Sequence, residues 1–217
     1  MKYDLHVHSK YSFDGIMETR SIVKTAIKKG LDGIAITDHN TIKGGLMAKK
    51  YSGESLEVII GSEITTERGE LIGLFLKDEI KSRDSQKVIE EIKSQSGIVV
   101  IPHPFDRLRR STFSPDEDDA RLVHCIEGFN SRCLFLKYNL SAVEFAVKFG
   151  LAITAGSDAH LENEIGNGIT DLHGDPLEAL SAGKTKIYGC RSSPINHGLT
   201  KLLKWIKRLE RSSSEDA

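Results

Sequence analysis

Two histidines, two residues apart, close the first apolar run of the chain in the segment DLHVHSKYSFDG. Residues i and i+2 of a β-strand point to the same face, so His6 and His8 would present two imidazoles side by side. Such a pair is either a polar strand end in solvent or two ligands of one metal ion. The residues at the ends of the other apolar runs distinguish these two interpretations.

Five later apolar runs also end in acids or imidazoles. These residues are Asp38 and His39 in AITDH, Glu63 in VIIGSE, His103 in VVIPH, Glu127 in VHCIE, and Asp158 and His160 in AITAGSDAH. At the carboxyl edge of a parallel sheet, groups at the ends of separate strands converge. Because converging carboxylates repel one another and buried charge needs a partner, the pattern predicts divalent metal ions. Asp14, in the loop after the first strand, is expected to be a further ligand rather than only a turn residue.

Apolar β-rich runs alternate with helical patterns along the whole chain. Predicted helices lie in ETRSIVKTAIKKG, IKGGLMAKKY, SRDSQKVIEEIKSQSG, KYNLSAVEFAVKFG and, at the end, from about Ile195 to Leu209. The runs LEVIIGSEITT and ELIGLFL are predicted to be antiparallel strands joined across ERG. Repeated strand–helix alternation without a long linker predicts one α/β domain with a barrel-like or doubly wound sheet.

Composition places further limits on the chain. Its 217 residues carry a net charge of −1, with 39% hydrophobic and 28% charged residues, which does not indicate a general affinity for nucleic acid or membranes. No apolar run approaches the length of a membrane span, and no signal peptide is evident. The three cysteines form no paired motif, so we expect a cytoplasmic protein without disulfides.

The motifs DLHVHSKYSFDG, AITDHN, GSEI, IPHP, IEGFNSR and AGSDAH occur in the order that resembles the PHP family of polymerase and histidinol phosphatase domains. The resemblance implies a distorted (β/α)7 barrel, TIM-barrel-like, over residues 1–211. Its core motifs would span residues 1–160, a short C-terminal segment about 161–211, and a disordered tail 212–217. It also implies two or three divalent metal ions (Mn, Zn or Fe) at the carboxyl rim of the strands.

The resemblance also implies the ligand sets. The first metal would be held by His6, His8, Glu63 and Asp158; the second by Glu63, His103 and Glu127; the third by Asp14, His39 and His160. Asp38 would support its neighbouring histidine without binding metal. Several family members have histidine where this chain has Glu127, so the second set departs from the family pattern.

The implied activity is hydrolysis of a phosphomonoester or phosphodiester, on a small or nucleotide-derived substrate, by metal-activated water. Asp158, His160 and His39 would be the catalytic side chains, and Arg107 and Arg132 would bind the phosphate. Alternatives within the class are a histidinol-phosphate phosphatase and a 5′–3′ exonuclease on short oligonucleotides. Other classes are a non-catalytic metal-binding module and C–N hydrolysis. No membrane partner is expected, and the sequence leaves the oligomeric state open.

Overall fold

The computed structural model describes residues 1–200 together with 202 and 203. The strands are β1 Lys2–Val7, β2 Gly33–Ile36, β3 Glu57–Thr66, β4 Gly69–Leu74, β5 Ile98–Ile101, β6 Cys125–Asn130, β7 Ala152–Gly156, β8 Gly168–Leu172 and β9 Thr185–Gly189. The helices are α1 Thr19–Lys28, α2 Lys43–Ser52, α3 Ser85–Ser94, α4 Glu117–Leu122, α5 Leu136–Phe149 and α6 Pro176–Ser181. Residues 194–200 are also helical.

These strands form one sheet in the order β7-β6-β5-β4-β3-β2-β1-β8-β9. The sheet curves until β7, at one end, reaches β1: Val7 pairs in parallel with Ala159, just beyond β7. The Thr170 hydroxyl joins β8 to β7 as well, because it accepts from the Ala155 N–H at 2.8 Å and donates to the Ala155 carbonyl at 3.0 Å. The sheet is a nearly closed barrel with helices around it, so the predicted distorted barrel is confirmed.

The barrel interior is filled by short aliphatic segments. One buried cluster contains side chains from strands all around the barrel, including Leu5 on β1, Ile72 on β4 and Leu172 on β8. Such a cluster has to lie inside a curved sheet, because side chains from opposite sides meet there. The strand IVVI of β5 is buried at every position, as expected for a strand with the interior on one face and a helix on the other.

The hairpin predicted across ERG is confirmed, since β3 and β4 pair antiparallel with Thr66 opposite Gly69. Strand β4 is also antiparallel to β5, because no helix lies between β3 and β4 to return the chain. The start of β4 therefore lies at the same rim as the end of β3. Two short helices, α4 and α6, are not among the predicted ones. Helix α4 begins with a capping box, in which the side chains of Asp116 and Asp119 each accept a hydrogen bond from the other's backbone N–H.

The predicted C-terminal helix is helical at its start, over residues 194–200. Most of its remainder, and the predicted tail 212–217, lie outside the described residues. The domain limits 1–211 stay a prediction. None of the helices in the described residues is long and apolar enough to cross a membrane.

Candidate metal centre

The ligand atoms of His6, His8 and Asp158 form one compact group, and Glu63 on β3 approaches both histidines. The Nε2 atoms of His6 and His8 are 3.1 Å apart. Glu63 Oε2 lies 3.5 and 3.3 Å from them, and Asp158 Oδ1 lies 3.8 and 3.4 Å from them. Ligands about 2.1 Å from a tetrahedral metal are separated by about 3.4 Å. The four side chains are buried, and the spacing of His6, His8 and Asp158 suits a single divalent ion, with Glu63 next to both histidines.

The backbone at this rim adopts conformations that are rare for residues with a side chain. Asp158, after β7, has φ +53°, and His103, after β5, has φ +28°. Positive φ costs free energy in non-glycine residues and is concentrated at functional sites. The fold therefore holds these two side chains in directions that an unstrained strand end would not give.

A second group surrounds Asp14, which lies in the loop between β1 and α1. Its Oδ2 atom is 3.4 Å from His39 Nε2 and 3.2 Å from His160 Nε2. His160 Nδ1 is 2.9 Å from the carbonyl oxygen of Asp158 and must carry the proton, since a carbonyl only accepts. In neutral His160 the Nε2 lone pair therefore faces a carboxylate oxygen. Two acceptors facing each other at this distance fit a cation bound between them.

The carboxylate of Glu63 faces all of these groups. Its Oε1 lies 2.9 Å from His103 Nε2, while its Oε2 lies near His6, His8 and, at 3.3 Å, His39 Nδ1. The buried Nδ1 atoms of His39 and His103 make no hydrogen bond within the described residues. A carboxylate with each oxygen in a different group has the arrangement of a ligand that bridges two metals.

Glu70 on β4 was missed by sequence reasoning. Its Oε1 lies 3.5 Å from His39 Nδ1 and its Oε2 3.8 Å from His103 Nε2. The hairpin pairs Glu63 with Ile72 and Thr65 with Glu70, so Glu70 is on the same face as Glu63. The signal was present in the sequence, because the predicted turn sets this register.

Glu127 differs from its expected place. Its Oε1 lies 3.0 Å from His6 Nδ1, and its Oε2 accepts from the His103 backbone N–H at 2.7 Å and from Asn130 Nδ2 at 3.0 Å. Both oxygens therefore hold neighbouring groups in position instead of facing the converging ligand atoms. The arrangement favours an orienting role, and the predicted role of Glu127 as a ligand stays a prediction.

Asp38 lies behind the centre, as expected for a supporting residue. Its Oδ1 accepts from the Ser9 backbone N–H at 2.5 Å and its Oδ2 from the Ser9 hydroxyl at 2.6 Å. Burial raises the pKa of Asp38 to about 6, although the Ser9 hydrogen bonds oppose the shift. These bonds tie the loop after β1 to the loop after β2.

The buried carboxylates of the centre favour positive charge near them. Burial disfavours the imidazolium of His6, but the carboxylates of Glu127, Glu63 and Asp158 outweigh it and raise the His6 pKa well above its usual value. Burial and the neighbouring His160 lower the pKa of His8 to about 4. His8 is thus neutral near pH 7, which is the form that binds a metal.

A cavity of about 500 Å³ opens above these groups, with Asp14, His39, Glu63, Asp158 and His160 in its lining. Three arginines also line it: Arg109, Arg110 and Arg132. Arg132 was predicted; it is buried, and its Nη1 is 2.8 Å from Glu164 Oε2. Arg109 was not favoured from the sequence, but its Nη2 lies 2.7 Å from Asp158 Oδ2. Arg107 is exposed and is not among the lining residues, so its role in binding phosphate stays a prediction.

Comparison with known proteins agrees with this geometry. The sequence pattern of the PHP domain matches residues 4–163. Two uncharacterized proteins of Methanocaldococcus jannaschii, MJ1587 and MJ0417, are 49% and 38% identical to the chain, over 48% and 77% of it, and each alignment covers 68% of the relative.

A solved structure shows the same fold. It is a two-domain protein of Bacteroides vulgatus containing a predicted PHP-like metal-dependent phosphoesterase, with a TM-score of 0.74 and 22% identity. The match covers 88% of this chain and 65% of that one, so this chain spans just under two thirds of that protein. Since the family pattern covers most of the sequence, the chain belongs to the PHP domain family.

Proposed function

We propose that this chain is a metal-dependent phosphoesterase that hydrolyses a phosphomonoester or phosphodiester of a small or nucleotide-derived alcohol. The observation that carries the proposal is the cluster of His6, His8, Glu63 and Asp158, in which the two Nε2 atoms lie 3.1 Å apart and each lies 3.3 to 3.8 Å from an oxygen of Glu63 and of Asp158. The two carboxylates line a cavity that three arginines also line. Family membership supports the same activity.

The ligand sets are assigned from the atoms that face one another. His6, His8, Glu63 and Asp158 would hold the first ion, Glu63 and His103 a second, and Asp14, His39 and His160 a third. Mn, Zn and Fe all suit these nitrogen and carboxylate ligands. Bound there, the ions would neutralise the phosphate, lower the pKa of a water molecule and stabilise the leaving oxygen.

The protein's own contribution is to position the substrate. Arg109 and Arg132 line the cavity, and a guanidinium binds phosphate through charge-assisted hydrogen bonds. Arg109 also fixes Asp158, whose Oδ2 it contacts at 2.7 Å while the Oδ1 faces His8 at 3.4 Å. The predicted catalytic side chains, Asp158, His160 and His39, all line the cavity, where they would hold the ions against the phosphate.

The experiment measures hydrolysis of p-nitrophenyl phosphate and bis(p-nitrophenyl) phosphate by the protein loaded with manganese. We expect turnover that His8→Ala abolishes, because this change removes one ligand of the first shell. His173→Ala is the matched control, since His173 is exposed, and it should keep wild-type activity. A panel of histidinol phosphate, nucleotides and short oligonucleotides would then rank the substrates. Absence of turnover on every ester, with bound metal verified by elemental analysis, would favour a non-catalytic metal-binding module.

A further inference from the structure

Three apolar side chains line the cavity above the metal centre and remain exposed. Phe13 is 47% exposed, Leu108 56% and Leu134 41%. They come from three different loops, after β1, β5 and β6. A single exposed apolar residue is ordinary, but three from separate loops in one cavity form a surface that only the fold brings together.

The same loops bury other residues completely. Phe113, in the loop that carries Leu108, is 0% exposed, and Cys133, next to Leu134, is 1% exposed. Each of these two loops therefore buries one of its side chains in the core, while its leucine stays exposed in the cavity. The other lining residues are polar or charged and include the acids and imidazoles of the centre, so Phe13, Leu108 and Leu134 form the apolar part of the cavity, here called its apolar edge.

Phe13 connects the apolar edge to the metal centre. Its ring centroid lies 4.6 Å from that of His39, with the planes inclined by 31°. A phosphate held over the centre would therefore have its ester group beside the Phe13 ring. A volume of about 500 Å³ suits a small molecule rather than a folded partner.

We propose that the apolar edge formed by Phe13, Leu108 and Leu134 binds the organic group of the ester, so that the enzyme selects phosphates of apolar or aromatic alcohols over those of polyhydroxylated or charged ones. The inference rests on the proposed function and deepens it by naming the substrate class. Its physical basis is that an apolar group seated there removes its own surface and that of three exposed side chains from water. A polyhydroxylated group would lose its water hydrogen bonds without finding partners on these side chains.

The test compares kcat/KM for 2-phenylethyl phosphate and glycerol 3-phosphate with the manganese-loaded protein. Both are esters of primary alcohols, so the leaving oxygens are similar in basicity and the ratio reports binding of the organic group. We expect a ratio of at least ~10 in favour of the phenylethyl ester, which corresponds to about 1.4 kcal/mol.

Variants locate the preference. Phe13→Ala and Leu108→Asn should each lower the ratio several-fold. Because Phe13 contacts His39, its removal can lower both rates, and only the ratio is diagnostic; Leu108→Asn tests the edge away from that contact. Phe135→Ala is the matched control: Phe135 is 51% exposed but is not among the cavity-lining residues, so the ratio should stay at the wild-type value.

The outcomes separate this inference from the proposed function. Turnover of both esters with a ratio near one, or a ratio that neither Phe13→Ala nor Leu108→Asn changes, would overturn the apolar edge and leave the phosphoesterase standing. No hydrolysis of either ester or of the p-nitrophenyl esters would overturn both.

Discussion

At the residue scale, the centre depends on side chains that hold the candidate metal ligands in position. Glu127 contacts His6 Nδ1 at 3.0 Å and the His103 N–H at 2.7 Å, while Arg109 contacts the Asp158 oxygen that faces away from the two histidines. Fixing the second atom of a ligand directs the first towards the metal and sets its proton position. Glu127 and Arg109, which lie behind the ligands, therefore set the protonation and the direction of the ligand side chains.

We predict that Glu127→Gln weakens metal binding about 10- to 100-fold without changing the number of ions bound, as is typical when such a supporting group is lost. An amide keeps one acceptor for His6 but offers NH₂ in place of the second. Calorimetric titration with manganese measures affinity, and elemental analysis counts the ions. Glu144→Gln, at an exposed position of α5, should behave as wild type. Loss of one whole equivalent of metal, with the others bound normally, would instead make Glu127 a ligand.

At the scale of elements, the site requires β7 to approach β1 and β8 closely. A Cβ atom on Gly156 would lie 2.3 Å from His6 Cβ and 2.7 Å from Glu127 Oε1, and a Cβ on Gly168 would lie 2.2 Å from the Gly156 carbonyl oxygen. Only glycine fits at these contacts, because real Cβ atoms do not approach other atoms so closely. Closure of the barrel and placement of His6 thus depend on the same two small residues.

We therefore predict that Gly156→Ala lowers the free energy of unfolding by about 1–3 kcal/mol, the usual cost of overpacking, and weakens metal binding because His6 has to move. Urea unfolding and metal titration measure the two effects. Gly198→Ala is the control: nothing lies within 4 Å of its added Cβ, and alanine favours a helix. A Gly156→Ala protein with wild-type stability and metal affinity would show that β1 and β7 tolerate a wider separation.

At the scale of the whole molecule, the metal centre connects segments that are far apart in the chain. The converging ligands come from three parts of the chain. His6 and His8 lie at the end of the first strand, Glu63 and His103 in the middle of the sequence, and Asp158 and His160 beyond β7. An unfolded chain does not hold these atoms together, so metal bound at the centre would favour the folded state and stabilise it.

We predict that removing metal with a chelator lowers the melting temperature by about 5–10 °C. Binding at a hundred times the dissociation constant is worth about 2.7 kcal/mol, and a chain of this size shifts by about 2–4 °C per kcal/mol. Thermal unfolding followed by circular dichroism, with and without manganese, measures the change, and His8→Ala should respond much less. Equal melting temperatures for the metal-loaded and metal-free wild-type protein would contradict selective binding to the folded state.

The sequence by itself indicated an alternating α/β fold and most of the rim, and its resemblance to the PHP family implied the barrel. Period-two spacing put His6 and His8 on one face, the apolar runs predicted β1 to β7, and the turn at ERG predicted the reversed β4. These features depend on local periodicity and turn chemistry, which neighbouring residues fix. Groups at the ends of parallel strands then had to converge, so the acids and imidazoles of the centre could be named in advance.

Only the tertiary structure decided which groups face one another across the rim. It placed Glu127 behind His6, brought Glu70 towards His39 and His103, and put Arg109 rather than Arg107 in the lining of the cavity. Loop direction decides these contacts, and it depends on packing between segments far apart in sequence. The apolar edge has the same origin, because Phe13, Leu108 and Leu134 share no local pattern and meet only when three loops close over one cavity.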